Sequence, residues 1–219
     1  MLEINALRVG IALGPLAVYF LVLAAVNLSR RPFLTTGARD VGALGTALAG
    51  LIAIGPLELF LPAAAWDQFG GAVWLLLLTF YGLCLTLMVL LMRPRLVIYN
   101  ANPEQLRSVL AEVVSRLDNQ ARWAGDNLVL PELGVQLHVE VFAAMRNVQL
   151  VSTGPKQNFA GWKRLESALA EVLRETKASP NPHGFGMMAL GLVLICIVAY
   201  WFISAATVVV QAVGGMLQR

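Results

Sequence analysis

The chain has 219 residues, 58% of them hydrophobic and 13% charged. Soluble domains carry about 25% charged residues and about 45–50% apolar ones. This composition therefore excludes a disordered chain, a nucleic-acid binder of the basic-tail kind and an ordinary cytosolic enzyme, and points to a membrane protein. Sixteen lysines and arginines against thirteen acids leave a net charge of +3, an excess whose position along the chain matters more than its size.

A bilayer core roughly 30 Å thick is crossed by about 20 apolar residues in a helix. Four windows reach that length, at about 9–26, 41–61, 71–92 and 185–210. Lipid offers the backbone no hydrogen bonds, so each run is predicted to be helical. The first window is long for a signal-peptide core, and its exit (Ala24, Ala25, Val26, Asn27) lacks a small-x-small cleavage pattern, so it is read as a retained span.

In the second window Gly42, Thr46 and Gly50 recur every four residues, a spacing that lets helix backbones approach closely. The stripe is a packing face for another span of this chain or of a partner. Glu58 is the one acid in this window. Intramembrane carboxylates are costly and often line ion or proton paths, but Glu58 stands four residues before Pro62, near the expected outer interface. Cys84 and Cys196 fall in different spans and read as small apolar packing residues.

Orientation follows from the basic residues at the span ends. Arg30, Arg31 and Arg39 fill the first connection, Arg93 and Arg95 end the third span, and the second connection holds Asp67 and no base. The expectation is that both termini lie outside and residues 93–183 are cytoplasmic, with Trp66 and Trp74 at the outer interface.

Residues 93–183 hold eleven of the sixteen basic residues and nine of the thirteen acids. Residues 95–99 read as a strand. Asn102 and Pro103 open a helix whose apolar stripe is Leu106, Val109, Leu110, Val113 and Leu117. Short strands are predicted at 121–124 and 127–130 around Gly125 and Asp126, then a turn from Pro131 to Gly134. Val135, Leu137, Val139 and Val141 alternate with polar residues as a half-buried strand does, and residues 147–152 form the last strand. A second helix follows from Phe159, capped by Asn158, with Trp162, Leu165, Leu169, Val172 and Leu173 as its stripe.

The predicted fold is thus an integral membrane protein of four transmembrane helices with a small α+β domain inserted between helices 3 and 4. That domain has the order β-α-β-β-β-β-α, an antiparallel sheet with two helices on one face. Its divisions are a three-helix membrane region at 1–92, the cytoplasmic domain at 93–183, and the fourth span with a short tail at 184–219.

With both helices on one face, the other face, bearing Gln136, His138 and Glu140, is left for a partner. His138 and Glu140 share that face, but a zinc site needs three or four ligands, and the only other histidine is His183 in the connector. Ser152, Thr153, Gly154 and Lys156 precede the second helix and loosely resemble an anion-holding turn, without the spacing of a P-loop. The basic residues flanking the spans and on the second helix are interrupted by acids, so modest surface association with lipid is expected.

The leading functional expectation is a non-enzymatic membrane protein whose cytoplasmic domain binds a partner protein or organises an assembly, with no cofactor and no nucleic acid. Self-association through the spans is the other expected contact. The alternatives are an oligomeric transporter or channel component, with Glu58 in its path, and a membrane enzyme acting on a lipid or phosphate compound at the Ser152 to Lys156 loop.

Overall fold

The computed structural model describes residues 6–57, 68–70, 72–142 and 145–217, with side chains up to residue 206. Its elements in chain order are α1 (Ala6–Leu28), β1 (Phe33–Thr36), α2 (Gly37–Ile52) running into a π-helical turn (Ala53–Leu57), α3 (Ala72–Leu91), β2 (Arg95–Tyr99), α4 (Pro103–Leu117), β3 (Arg122–Ala124), β4 (Asn127–Leu130), β5 (Val135–Phe142), β6 (Asn147–Ser152), α5 (Phe159–Glu175) and α6 (His183–Leu217). The chain divides into two units, one made of Leu23–Gly42 and Met88–Gly186, the other of the described residues within Met1–Val22, Ala43–Leu87 and Met187–Arg219.

Four helices are long and apolar enough to cross a membrane: Ala6–Leu28, Gly37–Pro56, Ala72–Leu91 and His183–Ala206. The second begins four residues earlier than its apolar run, because Thr36 caps it: the Thr36 hydroxyl accepts the Arg39 N–H at 3.3 Å. Within the helical unit the contacts are made by small residues. A Cβ on Gly50 would strike the Ile11 carbonyl oxygen, so only glycine lets α1 and α2 come this close. The Tyr81 hydroxyl of α3 donates to the Gly45 carbonyl of α2 at 2.7 Å.

The sheet has six antiparallel strands in the order β1-β2-β6-β5-β4-β3. Five were expected, and the sixth is β1, from the connection between the first two apolar helices. Phe33 to Thr36 is an aromatic, β-branched run that pairs with β2 from Phe33 opposite Tyr99 to Thr36 opposite Leu96. Four residues between two long apolar helices carry almost no periodicity of their own, so this strand has no signature in the sequence. The turns follow the sequence: Gly134 adopts φ +63° and its N–H donates to the Pro131 carbonyl.

Both remaining helices cover one face. Leu106, Leu110, Val113 and Val114 of α4 and Trp162, Leu165, Leu169 and Leu173 of α5 share a single buried cluster with Leu96, Ile98, Leu128, Leu130, Val135, Leu137, Val148 and Leu150 of the sheet. The helix starts are capped as expected, Asn102 accepting from the Glu104 N–H at 3.2 Å and Asn158 from the Ala160 N–H at 3.0 Å.

Candidate functional site

Strand register assigns the second sheet face. Thr35, Val97, Gln149, Glu140, His138, Val151, Gln136, Asn127, Val129 and Arg122 alternate with the core residues and stand opposite one another across the ladder. This face is divided in two. On the β1–β2 side the first turn of α2 closes it: the Arg95 side chain lies against Gly37, and the Tyr99 hydroxyl donates to Asp40 Oδ1 at 2.6 Å. Val97, between Arg95 and Tyr99 on the strand, is fully buried.

On the β3–β4–β5 side the face is more open. Gln136, Asn127 and Arg122 are exposed, while His138, Glu140, Gln149, Val151 and Val129 are half-buried. Asn127 and His138 are cross-strand partners, and Asn127 Oδ1 lies 3.0 Å from His138 Nδ1. Gln136, His138 and Glu140 are therefore brought together on one face. Among the described residues no group of three or more histidines, cysteines or acids is placed to hold a metal.

The loop from Ser152 to Lys156 is pinned from within. The Thr153 N–H donates to the Gln136 carbonyl at 2.8 Å, and Gln157 Nε2 donates to the carbonyls of both Gln136 and Thr153. Gln157 Oε1 accepts from Trp162 Nε1 at 2.9 Å. Ser152 is buried and stands opposite Leu137, on the helix-covered face, whereas Lys156 is exposed. Gly154 turns the chain with φ +82°. Ser152 and Lys156 thus differ in exposure, and the Thr153 N–H is already engaged.

The small-residue stripe is divided too. Gly50 is buried at the α1 contact, Thr46 is exposed, and nothing lies within 4 Å of where a Cβ on Gly42 would be. Gly45 and Ala47, one residue to the side of Thr46, are the buried positions. An open crevice between helices of this unit is lined by Ile11, Pro15, Gly50, Ala53, Val198 and Phe202, with Thr46 the one polar side chain among the described lining residues. Glu58, Trp66 and Asp67 lie outside the described residues.

One polar cluster has no counterpart in the sequence reading. Asn27, Asn100 and Asn181 are all at least 98% buried. Asn181 Nδ2 donates to Asn27 Oδ1 at 3.1 Å and to the Met145 carbonyl at 2.8 Å, and its backbone N–H donates to the Asn27 carbonyl. Asn100 Nδ2 donates to the Ser29 carbonyl at 2.6 Å. Arg146, with φ +49°, holds the same region through its guanidinium on the Ser179 carbonyl at 3.0 Å, while its own carbonyl accepts from the Ala101 N–H. Positive φ in a non-glycine residue is costly and persists only where its surroundings over-determine it. The cluster gathers the last turn of α1, the β2–α4 turn, the β5–β6 turn and the segment before α6. The available signal was an asparagine ending an apolar run and another set between Pro180 and Pro182.

These features describe a membrane protein: four apolar helices of spanning length, and a six-stranded antiparallel sheet with one helix-covered face. No family model, curated protein or solved structure matches the chain.

Proposed function

We propose that the chain is a non-enzymatic integral membrane protein whose α+β domain, carried between the third and fourth spans, docks a partner protein on the open part of its sheet. The observation that supports this is the asymmetry of the sheet. Both α4 and α5 sit on one face, α2 reaches only the β2 side of the other, and Gln136, His138, Glu140, Asn127 and Arg122 make a mixed polar surface outside that cover. Polar side chains around half-buried Val129 and Val151 suit a rim and centre of a modest protein interface.

The arginines at the ends of the first and third spans support a cytoplasmic position for this domain, with both chain termini outside. For the two other expectations the described residues offer less. The inter-helix crevice is almost wholly apolar, which suits an anchor better than a transport path. The Ser152 to Lys156 loop has its Thr153 N–H engaged by Gln136, which weakens an enzyme acting on a phosphate compound there.

The test is a photoreactive amino acid placed in the full chain in its native membrane. Substitution at His138 or Glu140 is expected to give a discrete crosslinked species, and substitution at exposed Glu112 on α4 is expected to give none. Equal crosslinking at all three positions, or none at His138 and Glu140, would overturn the proposal.

A further inference from the structure

We propose that the end of the sheet beside Met145 dips into the membrane, its exposed Phe33, Val141, Phe142 and Met145 side chains resting among lipids where headgroups give way to acyl chains. The inference rests on the membrane reading of the four apolar helices and makes no use of the partner-docking surface.

Three observations carry it. The first is where this end of the sheet is held. Asn181 Nδ2 donates to the Met145 carbonyl at 2.8 Å and to Asn27 Oδ1 at 3.1 Å. Asn27 stands in the last turn of α1 and Asn181 two residues before the start of α6, and both helices are of spanning length. Arg146 makes a second tie, its guanidinium donating to the Ser179 carbonyl at 3.0 Å. Span ends belong at the headgroup level of a bilayer. Two of them are thus joined directly to Met145 and Arg146.

The second is strand register. Phe33 stands opposite Tyr99 of β2, and Phe142 opposite Asn147 of β6. Ile98 pairs with Val148, so Tyr99 and Asn147 lie one step further along the same ladder. Phe33 and Phe142 therefore share one row at the end of the sheet. The next residue of the chain after Tyr99 is Asn100, whose Nδ2 donates to the Ser29 carbonyl just past α1.

The third is exposure. Phe33, Val141, Phe142 and Met145 leave 47–60% of their surface uncovered. Apolar residues exposed singly are ordinary, but these four gather at one end of the sheet, beside two span ends. Covering them with lipid removes apolar surface from water, and aromatic rings favour the interfacial region.

The occupant is lipid because lipid is already at this level. Exposed Phe185 stands in the first turn of α6, four residues after Asn181. The depth is shallow. Glu140, Arg146 and Asn147, each half-buried and within two residues of Phe142 or Met145, keep their polar groups among the headgroups.

The experiment uses the full chain in nanodiscs of dioleoylphosphatidylcholine. Cys84 and Cys196 are replaced by alanine, and a nitroxide is attached through Phe142→Cys, Met145→Cys or, on exposed α4, Glu112→Cys. The labels at residues 142 and 145 are expected to collide with dissolved oxygen in preference to a water-soluble nickel chelate, with an oxygen-to-nickel ratio roughly fivefold above that at residue 112. A ratio equal to that at residue 112 would overturn the proposal, and so would exclusion of both reagents, the mark of protein cover. The unaltered chain supplies a readout that needs no variant. Met145 in the nanodisc is expected to be oxidised by hydrogen peroxide roughly tenfold more slowly than free methionine; oxidation as fast as free methionine would also overturn it.

Discussion

Between the sheet and its two covering helices large side chains are buried: Ile98, Leu137, Leu165 and Leu169 have no exposed surface. In the helical unit the buried residues include Ala17, Ala47, Gly50 and Ala53, while Leu75, Leu76 and Leu83 expose 61–71% of their surface. The same residue type thus sits inside one unit and outside the other. Water makes the difference. Burying leucine against other protein is favourable where the alternative is water, whereas lipid chains are as apolar as leucine, and helices in them are held by close approach of small residues.

This contrast can be broken or sharpened by substitution. The largest effect is expected from Leu169→Ala, which empties a fully buried position between α5 and the sheet. It should destabilise the sheet unit by about 2–5 kcal/mol, read by denaturant unfolding followed through Trp162 fluorescence. Next comes Gly50→Ala, whose single added methyl strikes the Ile11 carbonyl. It should loosen the α1–α2 contact by about 1–3 kcal/mol, measured as a lowered resistance of the helical unit to unfolding in detergent. A smaller loss, about 1–2 kcal/mol, is expected from Asn181→Ala, which leaves the buried Asn27 Oδ1 and Met145 carbonyl without this donor; amide hydrogen exchange should rise around residue 27. The smallest is Leu83→Ala, within about 0.5 kcal/mol, because that side chain exchanges one apolar contact for another. A cost for Leu83→Ala equal to that of Leu169→Ala would show that α3 packs against protein and would abolish the contrast.

Most of the sheet unit was legible in the sequence. The alternation of Val135, Leu137 and Val139, the stripes of α4 and α5, and the caps Asn102 and Asn158 each express a local period or a local hydrogen bond. The polar face of Gln136, His138 and Glu140 follows from the same alternation. The small-residue stripe was only partly legible. Gly42, Thr46 and Gly50 share a spacing, and of the two glycines Gly50 is the one where a Cβ would strike a neighbouring backbone.

Composition and periodicity were enough to determine four apolar helices, five of the six strands and the faces that α4 and α5 bury, since these depend on neighbours one to four residues away in the chain. Tertiary structure alone decided that Phe33–Thr36 joins the sheet beside β2, that Asn27 meets Asn181 across 154 residues, and that Arg95 rests on Gly37. Those contacts join segments far apart in the chain, and each depends on backbone geometry that no local pattern encodes: an edge strand needs an unpaired partner, and a buried polar group needs an acceptor brought to it by the rest of the fold.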